Sequence, residues 1–328
     1  MRADVVATRA PGTWAHSYTA LAARYIRFCR DRVPPRNPCP AEPMTVCLFL
    51  QLVADAARTY SVVKSASGMI FSLHEMAMVP KERNPTKCEM AKSIRQAAKR
   101  RLGTRLVNQK DPLPLAVLLS AVTANLGAGM ESAPLVFLSW AAMVMTMWTG
   151  LLRWKDMSLV FVDCVSFYDT HMEIFLAYRK NDQFRRGDVV FVSRGQYPST
   201  CPVRLCQTLI RRAGLRGHVP LFQGWDGRRL RRRSEAAALP LSGSTVSYAQ
   251  CRTAFFAMVA KATGQKAAQV TSQFGTQSCR SGGATVLAPQ IDFRRFQQHG
   301  AWHTAEAAHR YIRDSTEDRV QVTALLGY

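Results

Sequence analysis

Apolar side chains recur at steps of three and four residues over the first hundred positions, which is the period of an amphipathic helix. The first run, from about residue 13 to residue 32, includes Trp14, Tyr18 and Tyr25 and is followed by five prolines between residues 34 and 43. Three further runs of the same period cover residues 44–57, 62–78 and 88–102. The pattern therefore predicts four helices that form a small all-α domain.

The next two stretches, residues 112–130 and 132–152, are apolar and contain no charged side chain. Each is long enough to span a bilayer, so a membrane-inserted hairpin is one interpretation. Both stretches contain proline, however, and the second ends directly on Arg153. We interpret them as buried helices of a large domain, and we expect no membrane partner.

Beyond Arg153 the pattern becomes rich in β-branched and aromatic residues over residues 157–167, 171–180 and 188–194. Short polar turns separate these segments, which is typical of a small three-stranded antiparallel sheet. Helical periodicity resumes near Cys201 and continues to a last predicted helix at about 316–326. The predicted fold class is mainly α with a small three-stranded antiparallel sheet (α+β).

A linker is predicted where glycine, proline and charged residues replace apolar ones, within residues 103–114. We therefore expect a helical domain at residues 1–105, a linker at 106–114 and a second domain at 115–328. The length of 328 residues is compatible with two such domains.

The charge balance then indicates the kind of partner. The chain has 44 Lys and Arg against 22 Asp and Glu, a formal net charge of +22, while 48% of its residues are hydrophobic. This composition excludes a disordered tail and favours a folded protein that binds a polyanion, with double-stranded DNA ahead of an anionic membrane. Residues 1–110 hold 19 basic and 7 acidic side chains, a net charge of +12, so both halves are basic.

The last predicted helix of the first domain carries a one-sided run of cations. No acidic residue lies between Glu89 and Asp111, which favours a phosphate-contact surface over a solvated face. A second basic run at 228–233 has three open interpretations: DNA contact, nuclear import signal or loop. The candidate DNA-binding residues are Lys92, Arg95, Lys99, Arg100, Arg101, Arg105, Arg228 and Arg229.

Other features argue against a metalloprotein or a secreted protein. The nine cysteines form no Cys-x-x-Cys pair, and the chain has no glycine-rich phosphate loop. The first twenty residues contain no apolar core of a secretory signal. We expect an intracellular protein without cofactor or metal, nuclear if the host is a eukaryote.

Several residues with catalytic potential stand in separate motifs. Arg153 lies in TGLLRWKDMSL with Asp156 three residues later, and Lys180 lies in the hairpin YRKNDQFRRGDVVF. QSCRSGGAT contains Arg280. GAWHTAEAAHRYIRDS contains Trp302 and, nine positions later, Tyr311. Each residue alone would be an ordinary structural one, so the joint occurrence in this order carries the inference.

This set resembles the tyrosine recombinases, the family of phage integrases and Cre-like and Xer-like enzymes. The family's order of Arg, Lys, His-x-x-Arg, His or Trp, and Tyr corresponds here to Arg153, Lys180, Gln277-x-x-Arg280, Trp302 and Tyr311. The motifs look most like those of DIRS-type and Crypton-type mobile elements. The match covers about residues 149–313; the first domain is similar only in kind to a helical, SAM-like core-binding domain.

The resemblance implies a site-specific recombinase or integrase that cleaves and rejoins DNA through a 3′-phosphotyrosyl intermediate. Arg153 and Arg280 would hold the phosphate, and Tyr311 would be the nucleophile. Lys180 would protonate the departing 5′ oxygen. Trp302 would pack beneath the phosphate, and Asp156 would orient Arg153. A homotetramer on synapsed DNA is implied, with a monomer or dimer otherwise.

Gln277 departs from the family pattern, which usually has histidine at this position. Glutamine can hydrogen-bond a phosphate oxygen but cannot accept and return a proton. Two alternatives therefore stay open: a catalytically impaired DNA-binding protein of the same fold, and a type IB topoisomerase-like activity.

Overall fold

The computed structural model describes residues 18–103, 109–177, 179, 187–225, 241–312, 320–321 and 324–325. The chain divides into two compact units, Met1–Asn108 and Gln109–Tyr328. Each unit has its own hydrophobic core.

The described part of the N-terminal unit contains four helices, α1 (Thr19–Arg30), α2 (Pro43–Ala56), α3 (Tyr60–Met76) and α4 (Glu89–Leu102). Each turns an apolar stripe inward, so that Tyr25 packs on Phe49 with ring centroids 4.9 Å apart. Two short 3-10 turns, Lys81–Arg83 and Pro85–Lys87, connect α3 to α4.

The second unit contains the remaining described helices and strands. It begins with α5 (Leu115–Leu126), α6 (Leu135–Thr149) and the single turn α7 (Trp154–Met157). Three strands follow: β1 (Val165–Phe167), β2 (His171–Leu176) and β3 (Asp188–Ser193). The rest comprises α8 (Pro202–Ala213), β4 (Gln223–Trp225), β5 (Leu241–Thr245), α9 (Tyr248–Thr263), α10 (Ala267–Gln273), α11 (Gln277–Leu287), α12 (Phe293–His299) and α13 (Ala305–His309).

The helices α5 and α6 form the centre of this unit. α9 packs on α5, while α8 and α11 pack on α6, so most of α6 is buried. The uncharged stretches that contain α5 and α6 are thus interrupted at residues 127–134. Among the described residues, no helix is both long and apolar enough to cross a membrane.

The predicted antiparallel sheet is confirmed, with strand order β1-β2-β3. Its inward face presents Met172, Ile174 and Leu176 of β2 to the core. The first strand was predicted over residues 157–167, and the prediction is wrong for residues 157–164, since β1 begins at Val165. Asp156 caps the helical turn α7, and a 3-10 turn follows at Val162–Cys164. A second antiparallel pair, β4 with β5, was not predicted.

Residues 109–114, predicted as part of the linker, are held by the second unit. The backbone N–H of Asp111 donates to the Gln273 oxygen, and that of Leu113 donates to the Ser278 oxygen, both at 2.9 Å. Lys110 reaches two backbone oxygens at the end of α10. Leu113 is fully buried.

Candidate active site

The helix that carries Arg280 approaches its neighbours very closely. A Cβ atom on Gly282 would overlap the backbone oxygen of Leu113 and lie 2.8 Å from the indole nitrogen of Trp148. A Cβ atom on Gly283 would overlap the Trp148 backbone oxygen. Because glycine has no Cβ atom, this pair permits the backbone of α11 to pack against α6. The approach brings Arg280 into the interior of the unit.

Arg280 is only 1% exposed and is held by two backbone carbonyls. Its Nη1 donates to the oxygen of Leu151, and its Nη2 donates to that of Gly300 at 2.6 Å. Leu151 and Ala301 both have φ of 47°, a left-handed conformation that costs a non-glycine residue about 1–3 kcal/mol. Among the described residues only Met78 shares this feature. Backbone strain is thus concentrated where the chain holds Arg280.

Arg153 and Asp156 lie in the turn that follows α6. Asp156 is 2% exposed, and its Oδ2 accepts the backbone N–H of Arg153 at 3.0 Å. This bond fixes the start of α7 and the backbone of Arg153, whose side chain is half-buried. Both residues interact electrostatically with Arg280, so these three predicted residues come together.

Trp302 and Tyr311 complete the aromatic side of the cluster. The guanidinium carbon of Arg280 lies 4.7 Å from the ring centroid of Trp302 and 4.9 Å from that of Tyr311. The two ring centroids are 5.3 Å apart. Trp302 is 4% exposed, whereas Tyr311 is half-buried. A cation over an aromatic face is attracted by the ring quadrupole.

Arg179 belongs to the same cluster and was missed in the sequence. Its side chain is 8% exposed, its Nη1 forms an ion pair with Asp188 Oδ2, and its charge acts on Arg280. The hairpin cation predicted instead, Lys180, lies outside the described residues. Alternation along β2 would turn position 180 inward and position 179 outward, but regular pairing ends at Leu176.

The charges around Arg280 act on its protonation. Burial is the main cause that lowers the pKa of the Arg280 guanidinium, and repulsion from Arg153 lowers it further. Tyr311 and Asp156 raise that pKa, while Arg179 again lowers it. Three guanidinium groups in one partly buried cluster make a setting that favours an anion.

Buried donors without a hydrogen-bond partner also indicate an anionic ligand. In the described part of the chain, six buried side-chain polar atoms have no hydrogen-bond partner. Three of these belong to the cluster: Arg179 Nη2, Arg280 Nε and Trp302 Nε1. Such donors cost about 1–3 kcal/mol each when left unpaired. A ligand rich in acceptor atoms, such as a phosphate, matches them.

Gln277 is exposed in the first turn of α11, one turn before Arg280. The histidines nearest in sequence to the site are engaged elsewhere or exposed. His299 Nε2 lies 2.9 Å from a backbone oxygen of α6, and the His309 ring stacks on a phenylalanine. His303 is exposed.

The cations predicted to bind DNA on α4 divide into two groups. Arg95 and Arg101 donate to side-chain and backbone oxygens of neighbouring elements. Lys92, Lys99 and Arg100 are exposed, and Lys92 also pairs with a nearby glutamate. The other predicted DNA contacts lie outside the described residues: Arg105, Arg228 and Arg229.

Among the described residues, no group of three or more His, Cys, Asp and Glu side chains is placed to hold a metal ion.

No protein-family model matches the sequence, and no curated protein matches it. Solved structures do. The integrase of the Tn1549 transposon, in complex with transposon right-end DNA, matches with a TM-score of 0.56 at 12% identity, over 97% of this chain and 98% of that one.

Two further solved structures are similar. A lambda integrase dimer bound to a COC' core site has a TM-score of 0.51 at 15% identity, over 91% of this chain and 88% of its own. The XerH site-specific recombinase bound to a palindromic difH substrate has a TM-score of 0.51 at 10% identity, over 88% and 73%. At these identities the similarity establishes a shared fold.

Proposed function

We propose that this chain, which has the tyrosine recombinase fold, is a site-specific DNA recombinase or integrase. It would cleave and rejoin duplex DNA through a 3′-phosphotyrosyl intermediate. The observation that carries the proposal is the buried Arg280, held under the rings of Trp302 and Tyr311 with Arg153 and Arg179 close by. The similar structures contain DNA, which supports the choice of a phosphodiester as ligand.

The reaction requires these residue types. The Tyr311 hydroxyl loses its proton to solvent as its oxygen attacks the phosphorus, and negative charge grows on the non-bridging oxygens while the bond to the 5′ oxygen breaks. Arg153 and Arg280 hold those oxygens, and Lys180 gives a proton to the departing 5′ oxygen. Religation reverses each step, since the phosphotyrosine bond keeps the energy of the broken one.

Arg280 remains able to bind phosphate despite its two carbonyl bonds. A guanidinium carries five N–H donors, and the bonds to Leu151 and Gly300 use one donor on each Nη atom. One hydrogen on each Nη is left, and Nε is unpaired. The carbonyls thus orient the group without exhausting it.

The other cluster residues have supporting roles. Asp156 holds the backbone of Arg153, which positions that side chain. Trp302 supports the guanidinium of Arg280 and offers a buried indole N–H to the phosphate.

Gln277 favours a second candidate, a catalytically impaired DNA-binding protein of the same fold. Its amide donates and accepts hydrogen bonds but does not titrate. We expect an active but slower enzyme, because the guanidinium cluster and the tyrosine are both present. Changing Gln277→His should accelerate cleavage if a titrating group at this place limits the rate.

The wider assignment follows from the charge and from the chemistry. The exposed cations Lys99 and Arg100 would contact the DNA backbone without reading its sequence. Paired strand exchange requires a homotetramer on synapsed DNA. We assign the protein to a mobile element, acting inside the cell where the DNA is, which is the nucleus if the host is a eukaryote.

The decisive experiment uses a nicked suicide DNA substrate, which traps the covalent intermediate. The wild-type protein should form an adduct that Tyr311→Phe abolishes, whereas Tyr197→Phe, at an exposed tyrosine, should retain it. An adduct in Tyr311→Phe would contradict the choice of nucleophile. DNA binding without any adduct would indicate the impaired protein, and supercoil relaxation without strand exchange would indicate a topoisomerase-like activity.

A further inference from the structure

Arg179 is fixed at the base of the hairpin between β2 and β3. Its Nη1 forms the ion pair with Asp188, the first residue of β3, which pairs with Leu176 in the β2–β3 ladder. The side chain of Arg179 is 8% exposed, whereas that of Asp188 is 43% exposed. The guanidinium is therefore directed inward while its partner remains in contact with water.

A purely structural role does not account for this arrangement. A buried ion pair with one half-exposed carboxylate seldom recovers the cost of desolvating a guanidinium. The second arm, Nη2, is buried and has no acceptor in the described part of the chain. If Arg179 only stabilised the hairpin, the ion pair through Nη1 would be sufficient.

The charges around Arg179 Nη2 indicate the class of ligand that it would bind. Arg179 and Arg280 repel each other, and Arg153 adds a third like charge. Among the described residues of the cluster, Asp156 and Asp188 offset two of these three charges, so the net charge is positive, and the proposed general acid Lys180 would add to it. A phosphodiester carries one negative charge, and its non-bridging oxygens are acceptors for unpaired guanidinium donors.

We propose that Arg179 is a third guanidinium ligand of the scissile phosphate, with Nη2 donating to one non-bridging oxygen. This inference rests on the proposed recombinase function. It makes Arg179 a catalytic residue in a chain whose Gln277 supplies no titrating group. The Asp188 carboxylate then serves to aim the guanidinium.

A substrate with one altered oxygen tests this contact. In a methylphosphonate at the scissile position, a methyl group replaces one non-bridging oxygen, and the two diastereomers replace either one. Single-turnover cleavage is measured on the phosphodiester and on both diastereomers, for wild type, Arg179→Ala and Asp188→Ala. The full-length chain is used throughout.

On the phosphodiester, Arg179→Ala should slow cleavage by about 10²-fold, the loss typical of one donor to developing charge. On the diastereomer that lacks the contacted oxygen, wild type and Arg179→Ala should differ by less than about threefold, since nothing remains for Nη2 to hold. Asp188→Ala, which breaks the same ion pair but keeps the guanidinium, should lose less than Arg179→Ala on the phosphodiester.

Three outcomes would overturn the proposal. Arg179→Ala could cleave the phosphodiester as fast as wild type, or show the same loss on all three substrates, or be matched in its loss by Asp188→Ala on every substrate. If Arg179→Ala does not fold, as judged by circular dichroism, Arg179→Lys replaces it with the same expected pattern. Absence of any adduct from the wild type would instead refute the recombinase function, and this inference with it.

Discussion

Arg212 and Arg280 are among the arginines of the second unit that donate to two backbone carbonyls, but their surroundings are opposite. Arg212, at the end of α8, donates through Nη1 to the oxygens of Met130 and Ala133 and is half-exposed. Arg280 makes two similar bonds, yet it is buried and keeps an unpaired Nε. Water can satisfy the remaining donors of Arg212.

The number of hydrogen bonds that an arginine makes to the protein therefore does not distinguish a structural arginine from a catalytic one. The guanidinium N–H groups that have no acceptor within the protein are more informative. At Arg212 they face solvent near a helix C-terminus, where a cation is favourable. At Arg280 they lie in a cluster with other unpaired donors and like charges.

The largest expected effect is therefore a contrast between these two positions. Arg280→Ala should reduce the rate of covalent adduct formation by about 10³-fold or more, because a charge-stabilising donor and a buried anchor are both lost. Arg212→Ala should lower the free energy of unfolding by about 1–2 kcal/mol and leave the adduct rate within about twofold. Suicide-substrate kinetics measures the adduct rate, and urea denaturation measures the free energy of unfolding. A similar loss of cleavage in the two variants would remove the distinction.

The next effect concerns how α11 brings Arg280 inside. Gly282→Ala should lower the free energy of unfolding by about 3 kcal/mol, since its Cβ would overlap the Leu113 oxygen with no flexible side chain to yield. The matched control, Ser281→Ala, should change it by less than about 0.5 kcal/mol. Denaturant titration gives both values, and a neutral Gly282→Ala would mean that the close helix contact is not formed.

A smaller effect tests the support of Arg153. Asp156→Ala leaves the Arg153 N–H without its buried acceptor and should cost about 1–3 kcal/mol of stability. Cleavage should fall by up to about 10²-fold as the side chain loses its position. Asp156→Asn, which keeps an acceptor oxygen, should recover most of both. Equal losses in the two variants would show that the carboxylate charge, not the backbone bond, is what matters.

The residues of the candidate site were predictable from the sequence, but their three-dimensional arrangement was not. Arg153, Arg280, Trp302 and Tyr311 could be selected because their order and the nine-residue step are visible in the chain. Their convergence depends on features that periodicity does not encode, such as the close packing at Gly282. The mainly α fold and its three-stranded sheet were predictable from period alone.

Other elements were out of reach for identifiable reasons. Arg179 was missed because the family's order of residues has a single lysine in this hairpin, which selects Lys180, and regular strand pairing ends at Leu176. The turn α7 was not predicted, since the buried Asp156 that caps it has the appearance of an ordinary charged residue in the sequence. The short strands β4 and β5 have three and five residues, too few for a periodic signal.

The exposed cations of α4 extend the comparison to the N-terminal unit. Changing Lys99 and Arg100 together to Ala should weaken DNA binding and reduce the slope of log affinity against log salt by about 2, if each releases about one counterion. Arg212→Ala, the structural arginine, should leave the slope unchanged. Fluorescence anisotropy across a salt series measures it. An unchanged slope in the double variant would exclude this face from the DNA contact.

The smallest expected effect concerns the strained backbone that holds Arg280. Ala301→Gly removes the steric cost of φ at 47° but adds chain entropy to the unfolded state, so we expect a net stabilisation of about 1 kcal/mol or less. Cleavage should fall modestly at the same time, because the more flexible link loosens the Gly300 carbonyl that orients Arg280. Thermal denaturation and adduct kinetics measure the two changes on one preparation. Ala308→Gly, in α13 and at φ of ordinary sign, is the control and should only destabilise the protein. If Ala301→Gly destabilised the protein to the same extent, the left-handed backbone beside Arg280 would carry no strain, and its rigidity would have to come from packing around Trp302.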